Sequence, residues 1–134
     1  MKRIISTPDA PGAAEYGRFS YSQAVVAGGL VFVAGQGPFD PATGAIVGTT
    51  IQEQVRQSFA NVKAILEEGG ASWDDVMMMR VYLTDVDHFA EMNEIYNAYF
   101  EEQDLKAPAA ARTTVYVGLP KGLLIEIDAL AVLG

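Results

Sequence analysis

The chain has 134 residues, half of them apolar, so residues 1–134 are expected to form one globular domain. It contains no cysteine and one histidine, His88, which excludes disulfides, thiolate nucleophiles, Cys-ligated metals and a multi-histidine metal site. The net charge of −8 and the pI near 4.4 argue against a polyanionic partner such as nucleic acid, which would have to be held by bulk electrostatic attraction.

No segment resembles a membrane span or an export signal. Runs of about eighteen consecutive apolar residues, which a transmembrane helix needs, do not occur in the sequence. The opening MKRIISTPDAPG has two basic residues but no long apolar run behind them. Because a chain without cysteine also suits a reducing compartment, we expect a cytoplasmic protein with no membrane partner.

The first half of the chain predicts two strands and a helix. The strands flank a turn at Ala27-Gly28-Gly29. The second strand, at residues 30–34, is almost continuously apolar, as expected for a strand covered on both faces. The helix begins with a capping-box pattern at Thr50 and Glu53, continues with apolar residues at helical spacing, and ends at Gly69-Gly70.

The second half predicts a strand, a helix and two closing strands. The segment VMMMRVYL is rich in residues that favour strands, and Asp85 or Asp87 is placed to cap the helix after it. Two strands around a Leu-Pro-Lys-Gly turn then suggest a closing hairpin in ARTTVYVGLPKGLLIEIDALAV. The order β-β-α-β-α-β-β predicts an α+β domain with a mixed sheet and both helices on one face.

The last strand has two unlike faces. Residues on one side are Leu123, Ile125, Ile127 and Ala129, and residues on the other are Leu124, Glu126, Asp128 and Leu130. The first set is wholly apolar and is predicted to lie under the helices. The second set mixes leucines with carboxylates, which suits neither open water nor a sealed core. We therefore expect that face to form a subunit interface with a polar cleft.

Charged residues in the closing strands are the candidates for function. Arg112 reaches water, pairs with Glu126, or binds a ligand carboxylate through its planar fork. Glu126 stands between two isoleucines and needs a partner or a raised pKa, so both a structural ion pair and a catalytic base remain open. For Asp128, a solvated position near the end of the sheet is an equally open alternative to such a role. The residues alone indicate an oligomeric α+β domain with an anion-binding cleft.

Seven sequence blocks together resemble the Rid (YjgF/YER057c/UK114) family. In chain order they are YSQAV, AGQ, QSFANV, MNEIY, ARTTV, LPKG and IEIDA, and they span most of the chain. The resemblance implies a chorismate-mutase-like fold and a homotrimer with clefts between subunits. It also implies an enamine/imine deaminase, a hydrolase of C–N bonds that needs no cofactor. Such enzymes convert reactive 2-imino and enamine acids of the 2-aminoacrylate and 2-iminopropanoate type, released by pyridoxal-phosphate enzymes, to 2-keto acids and ammonia.

The resemblance also assigns roles to two charged residues. Arg112 matches the family arginine that binds the substrate carboxylate. Glu126 matches the glutamate that positions or activates the attacking water. The resemblance implies no metal.

Four further positions match residues that line the family's cleft. Tyr21 and Asn93 match cleft-lining side chains, and Gly35 matches a glycine whose backbone faces the ligand. Thr114 replaces a cysteine of well-studied members whose backbone carbonyl contacts the reacting group. The segments before Tyr21 and before Arg112, including Phe19-Ser20 and Ala110, depart from the family pattern, so the preferred substrate side chain stays open.

Two other functions are compatible with the sequence. A non-catalytic regulatory trimer would bind small 2-keto or amino acids through the same Arg112. Ribonuclease activity and translation inhibition have been attached to some relatives, but the acidic pI and the lack of a basic groove fit them less well.

Overall fold

The computed structural model describes residues 1–12 and 21–134; Phe19-Ser20 lie outside the described residues. The elements in chain order are β1 (Arg3–Ile5), β2 (Ala24–Ala27), β3 (Leu30–Gln36), α1 (Ile51–Glu68), β4 (Val76–Leu83), α2 (Phe89–Glu102), β5 (Ala111–Tyr116) and β6 (Ile125–Val132). Short 3₁₀ turns, Trp73–Asp75 and Val86–His88, precede β4 and α2.

The described strands form one mixed sheet in the order β1-β2-β3-β6-β4-β5. Strands β4 and β5 are parallel, and the other neighbours are antiparallel. The turn between β2 and β3 has positive φ at Gly28 and Gly29, which suits the twist of a tight hairpin. The predicted α+β class with a mixed sheet is confirmed.

The predicted closing hairpin is wrong. Strand β4 lies between β5 and β6, pairing in parallel with the first and antiparallel with the second. The connection at residues 117–124 crosses the end of β4, and Val117 N donates to Leu83 O on the way. The sequence pattern identified both strands, but it holds no information on which strand each would pair with.

An additional edge strand, β1, was also missed. It pairs with β2 and buries only Ile5. Three residues are too few to show the alternation by which a strand is recognised in a sequence.

A buried amide fixes the segment that follows β1. Gln23 Oε1 accepts from Thr7 N at 2.7 Å, and Gln23 Nε2 donates to the carbonyls of Ala10 and Pro11 at 3.2 and 2.8 Å. Since a buried amide is costly to leave unpaired, these bonds hold residues 7–11 against the start of β2.

Helix α1 begins where the sequence predicts. Thr50 and Glu53 form the reciprocal capping box, and Gly70, with φ of +87°, follows the C-terminal end. Asp85, rather than Asp87, caps the turn that leads into α2, because its side chain accepts from Asp87 N.

Two buried polar residues of α1 hold the loops on either side of the central strands. Gln54 accepts from Leu124 N at 2.8 Å and donates to Gly122 O at 2.9 Å. Asn61 donates to the carbonyls of Gly37 and Phe39 at 3.1 and 2.9 Å. Helix α1 therefore sets where β6 begins and where the chain leaves β3.

The helices cover one face of the sheet and leave the other open. On β6, Ile125 and Ile127 are fully buried, whereas Glu126 on the opposite face is half-buried. In β3, Phe32 is 49% exposed. The expectation that this strand is covered on both faces is therefore wrong for a single chain. No helix in residues 1–12 and 21–134 is long and apolar enough to cross a bilayer.

Candidate functional site

Glu126 lies on the open face of the sheet, beside a β-bulge in β3. Val33 pairs with Ala129 and Gln36 with Ile127, so two residues of β3 stand where the register allows one. One of them is Gly35, where an added Cβ would overlap Glu126 Oε1 and lie 2.8 Å from Glu126 Cδ. The missing side chain of Gly35 thus provides the space that the Glu126 carboxylate occupies.

The Glu126 carboxylate is placed to exchange a proton. Burial raises its pKa above the ordinary glutamate range, and the negative charge of Asp128 raises the pKa further. Among the described residues, none donates a hydrogen bond to it or pairs with it. A half-buried carboxylate of raised pKa without such partners is a suitable general base.

Asp128, two residues along the same face, has a different environment. It is 9% exposed, which corrects the expectation of a solvated residue. Arg80 Nε donates to its Oδ1 at 2.8 Å, and the Tyr82 hydroxyl donates to its Oδ2 at 2.7 Å. Both carboxylate oxygens of Asp128 thus accept a hydrogen bond, one of them from a charged guanidinium.

Arg112 lies at the edge of the sheet, against α2. Its guanidinium carbon is 4.7 Å from the ring centroid of Tyr96 and 6.0 Å from that of Phe89. These distances are typical of cation–π contacts, which fix the plane of the guanidinium without using its N–H donors. Among the described residues no carboxylate forms an ion pair with Arg112, so its fork is available for a ligand.

The two candidate catalytic residues lie on opposite faces of the same sheet. Arg112 pairs with Met79 of β4, and Glu126 pairs with Tyr82 of the same strand. Residues three apart on a strand point to opposite faces, so these pairs place Arg112 on the helix face and Glu126 on the open face. The alternative that Arg112 pairs with Glu126 within the chain is therefore wrong.

The other predicted site residues divide between these two positions. Tyr21 and Gly35 line one small cavity of about 130 Å³, whose wall also includes Pro11 and Gln23. Glu126 does not line this cavity but lies against Gly35. We call Glu126, Gly35 and Tyr21 the glutamate half-site.

The remaining predicted residues lie with Arg112. Thr114, two positions along β5, is on the same face as Arg112. Asn93 lies on α2 one turn from both rings that contact the guanidinium. We call Arg112, Thr114 and Asn93 the arginine half-site.

Sequence reasoning missed the groups that support each half-site. Arg80 and Tyr82 are two residues apart in VMMMRVYL, as Glu126 and Asp128 are in the last strand. Residues at this spacing share one face of a strand, so the sequence did indicate that each pair lies on a single face. Tyr96 and Phe89 were assigned only to the apolar stripe of α2. In the described part of the chain, no group of three or more His, Asp or Glu residues is placed to hold a metal ion.

A larger cavity of about 480 Å³ lies between α2 and the start of β5. Its lining is mostly apolar and includes Trp73, Tyr96 and Phe100, and neither Arg112 nor Glu126 belongs to it. The groups that can do chemistry are thus at the two half-sites rather than in this larger, mostly apolar cavity.

Comparison with known proteins identifies the family. The family model described as Endoribonuclease L-PSP matches residues 10–133. The chain belongs to this family, the Rid (YjgF) family. A RutC family protein of Pyrococcus horikoshii is 48% identical over 132 residues, covering 98% of each chain.

Other Rid proteins carry names that refer to an activity or a ligand. The 2-iminobutanoate/2-iminopropanoate deaminase of Salmonella typhimurium is 41% identical over 133 residues, covering 98% of each chain. The structure of Escherichia coli TdcF with bound serine has a TM-score of 0.84 and 40% identity, covering 98% of this chain and 99% of that one. The predicted family membership and fold are confirmed.

Proposed function

We propose that this Rid protein is a deaminase that hydrolyses reactive 2-imino and enamine acids, of the 2-aminoacrylate and 2-iminopropanoate type, to 2-keto acids and ammonia. The observation that supports it most is Glu126, a carboxylate of raised pKa seated in the space that Gly35 leaves. The deaminase name of the Salmonella relative supports the reaction class. The serine bound to TdcF supports a ligand the size of a small amino acid.

The complete site is proposed to form between subunits of a homotrimer. Within one chain the arginine and glutamate half-sites face away from each other, so one molecule cannot apply both to one small substrate. A neighbouring copy packed on the open face would bring its arginine half-site to Glu126. The same packing would cover Phe32, whose exposure is unfavourable in an isolated chain.

In this arrangement, Arg112 binds the substrate carboxylate with two parallel N–H donors. An enamine first takes a proton from solvent on its methylene carbon and becomes the protonated imine, whose C2 is electrophilic. As a water oxygen attacks C2, Glu126 accepts a proton from that water and a carbinolamine forms. The proton then passes from Glu126 to the nitrogen, the C–N bond breaks and ammonia leaves. The C2 hydroxyl gives its proton to solvent water, which yields the 2-keto acid.

The protein needs to position the substrate and the water more than it needs to activate the substrate. Because the imine carbon is already electrophilic, fixing the carboxylate and placing one water beside C2 supplies much of the needed orientation. Tyr21 and Asn93 are proposed to line the cleft, and the Thr114 carbonyl to contact the reacting nitrogen. We place the protein in the cytoplasm, where pyridoxal-phosphate enzymes release such imines.

A trapping assay tests the proposal. An amino-acid oxidase generates 2-iminopropanoate from alanine, and semicarbazide traps whatever imine persists. The protein should lower semicarbazone formation, and Glu126→Gln should lose most of this effect because an amide cannot accept the proton. A regulatory protein that only binds the product acid would leave semicarbazone formation unchanged, which would overturn the proposal.

The family description also names an endoribonuclease. The net charge of −8 gives no bulk attraction for RNA, so we propose no nucleic-acid substrate.

A further inference from the structure

Four polar side chains form a block on the open face of β4 and β6. Tyr82 is the cross-strand partner of Glu126, and Arg80 is the partner of Asp128. The Tyr82 hydroxyl nevertheless reaches diagonally to Asp128 rather than bonding its direct partner. The block is therefore asymmetric: Asp128 receives both donors.

Because of this asymmetry, Asp128 and Glu126 differ in the hydrogen-bond donors around them. Each oxygen of Asp128 accepts one hydrogen bond, and one of the donors is a guanidinium. Glu126 leans to the other side, towards Gly35 of β3, where no donor is recorded among the described residues. Two neighbouring carboxylates with unlike surroundings are a common way to obtain one fixed charge and one group that exchanges a proton.

The groups that face Glu126 can be named for each neighbouring element. Strand β3 contributes Gly35, which carries no charge. Strand β4 contributes Tyr82 and, two pairs further along on the same face, Arg80. Strand β6 contributes Asp128, and Tyr21 lines the cavity beside Gly35. Within one chain, the acidic group beside Glu126 on this face is therefore Asp128, and Arg80 forms an ion pair with it.

We propose that Asp128 is a positioning residue for Glu126: held by Arg80 and Tyr82, it keeps a fixed negative charge beside the base and sets the pH at which Glu126 gives up its proton. The inference rests on the proposed function only in taking Glu126 as the base. Arg80 then acts as an attenuator, because its positive charge weakens the field of Asp128 at Glu126.

The electrostatics agree with this geometry. Asp128 raises the pKa of Glu126, second to burial. The hydrogen bond to Asp128 is the largest cause that raises the pKa of Arg80, so the guanidinium that pairs with Asp128 stays charged in the range in which Glu126 titrates.

The test is a pH titration of the Glu126 carboxyl by NMR in the assembled protein, with glutamate labelled at ¹³Cδ. Glu126→Gln identifies the signal. Asp128→Asn keeps the shape and both hydrogen-bond positions, and it should lower the titration midpoint of Glu126. Arg80→Gln removes the attenuating charge and should raise the midpoint. Glu68→Gln, at the exposed end of α1, is the control for one lost negative charge.

The opposite signs of the two shifts make the test decisive. Shifts in these directions, each larger than that of Glu68→Gln, support the proposal. Midpoints that stay within the control's shift, or that move in the same direction, overturn it. Because Arg80 is largely exposed, Arg80→Gln should fold even if Asp128→Asn does not, and a midpoint that does not rise in this variant then overturns the proposal.

Kinetics separate this proposal from the proposed function. The acid limb of the kcat/KM profile for 2-iminopropanoate should move with the NMR midpoint in each variant. An acid limb that stays fixed while the NMR midpoint moves would show that Glu126 is tuned but is not the base.

Discussion

The catalytic role proposed for Glu126 comes with a cost to stability. Its pKa is raised in the folded chain, so folding disfavours the charged form. The stability it contributes is fully present below the ordinary glutamate pKa and is lost as the pH rises through the raised pKa. Glu126→Gln carries no charge and should therefore melt at a higher temperature than wild type near pH 8. The difference should shrink to nothing at pH values below the ordinary glutamate range.

Thermal melts of both proteins across this pH range check the prediction. Equal melting temperatures at every pH would mean that the folded and unfolded states bind the Glu126 proton equally well. That result would contradict the raised pKa from which the assignment of the base starts.

Gly35 is expected to matter through the space it leaves. Its φ lies outside the left-handed region, so Gly35→Ala strains no backbone, but the new methyl group must displace the Glu126 carboxylate. The carboxylate ends a flexible side chain, so the protein should fold while kcat falls. Gly118→Ala is the matched control, because its Cβ meets no atom within 4 Å and its φ is also outside that region.

The melting temperature and kcat of both alanine variants are the quantities to compare. If Gly35→Ala turned over like Gly118→Ala, the position of the Glu126 carboxylate would not matter for catalysis.

Arg112→Lys separates a carboxylate-binding fork from a simple positive charge. Lysine keeps the charge but cannot form two parallel bonds, so kcat/KM should fall about ten- to a hundredfold. The melting temperature should change little, because the guanidinium pairs with no carboxylate among the described residues and its ring contacts lie at the sheet edge. Arg56→Lys, in an exposed ion pair with Glu102, should leave kcat/KM as it is. A large loss of stability with normal turnover would assign Arg112 a structural role.

At the scale of elements, α1 holds the loops around the central strands. The contribution of its N-terminal cap to the stability of the protein can be measured. Thr50→Ala removes the side chain that accepts from Glu53 N. Loss of such a cap costs about 1 kcal/mol, which denaturant unfolding resolves if the transition is two-state. Thr49→Ala is the control, because only the backbone N–H of Thr49 takes part in the capping bonds. An equal effect of both substitutions would contradict the role of the cap.

Local patterns predicted the elements well and their partners poorly. The capping box of α1 and the alternation of β6 depend on neighbouring residues, so the sequence displays them directly. The order β6-β4-β5 and the bulge beside Gly35 depend on residues far apart in the chain. For this reason the closing strands were recognised and their hairpin was wrong.

At the scale of the whole molecule, the sequence likewise predicted the residues of the site but not their arrangement in space. The residue types and the family resemblance supplied Arg112 and Glu126 as candidates. Only the strand order shows that they lie on opposite faces of the sheet. The open face was foreseen from the mixed leucines and carboxylates of β6, but the division into two half-sites was not.

A mixed-trimer experiment measures directly whether two chains share one site. Arg112→Met and Glu126→Gln chains, each nearly inactive alone, are co-refolded in equal amounts, and light scattering confirms the trimer. If each site takes its arginine from one subunit and its glutamate from the next, random mixing should restore about a quarter of the wild-type activity. Activity no higher than that of the two separate variants, in trimers shown to contain both chains, would contradict the shared site.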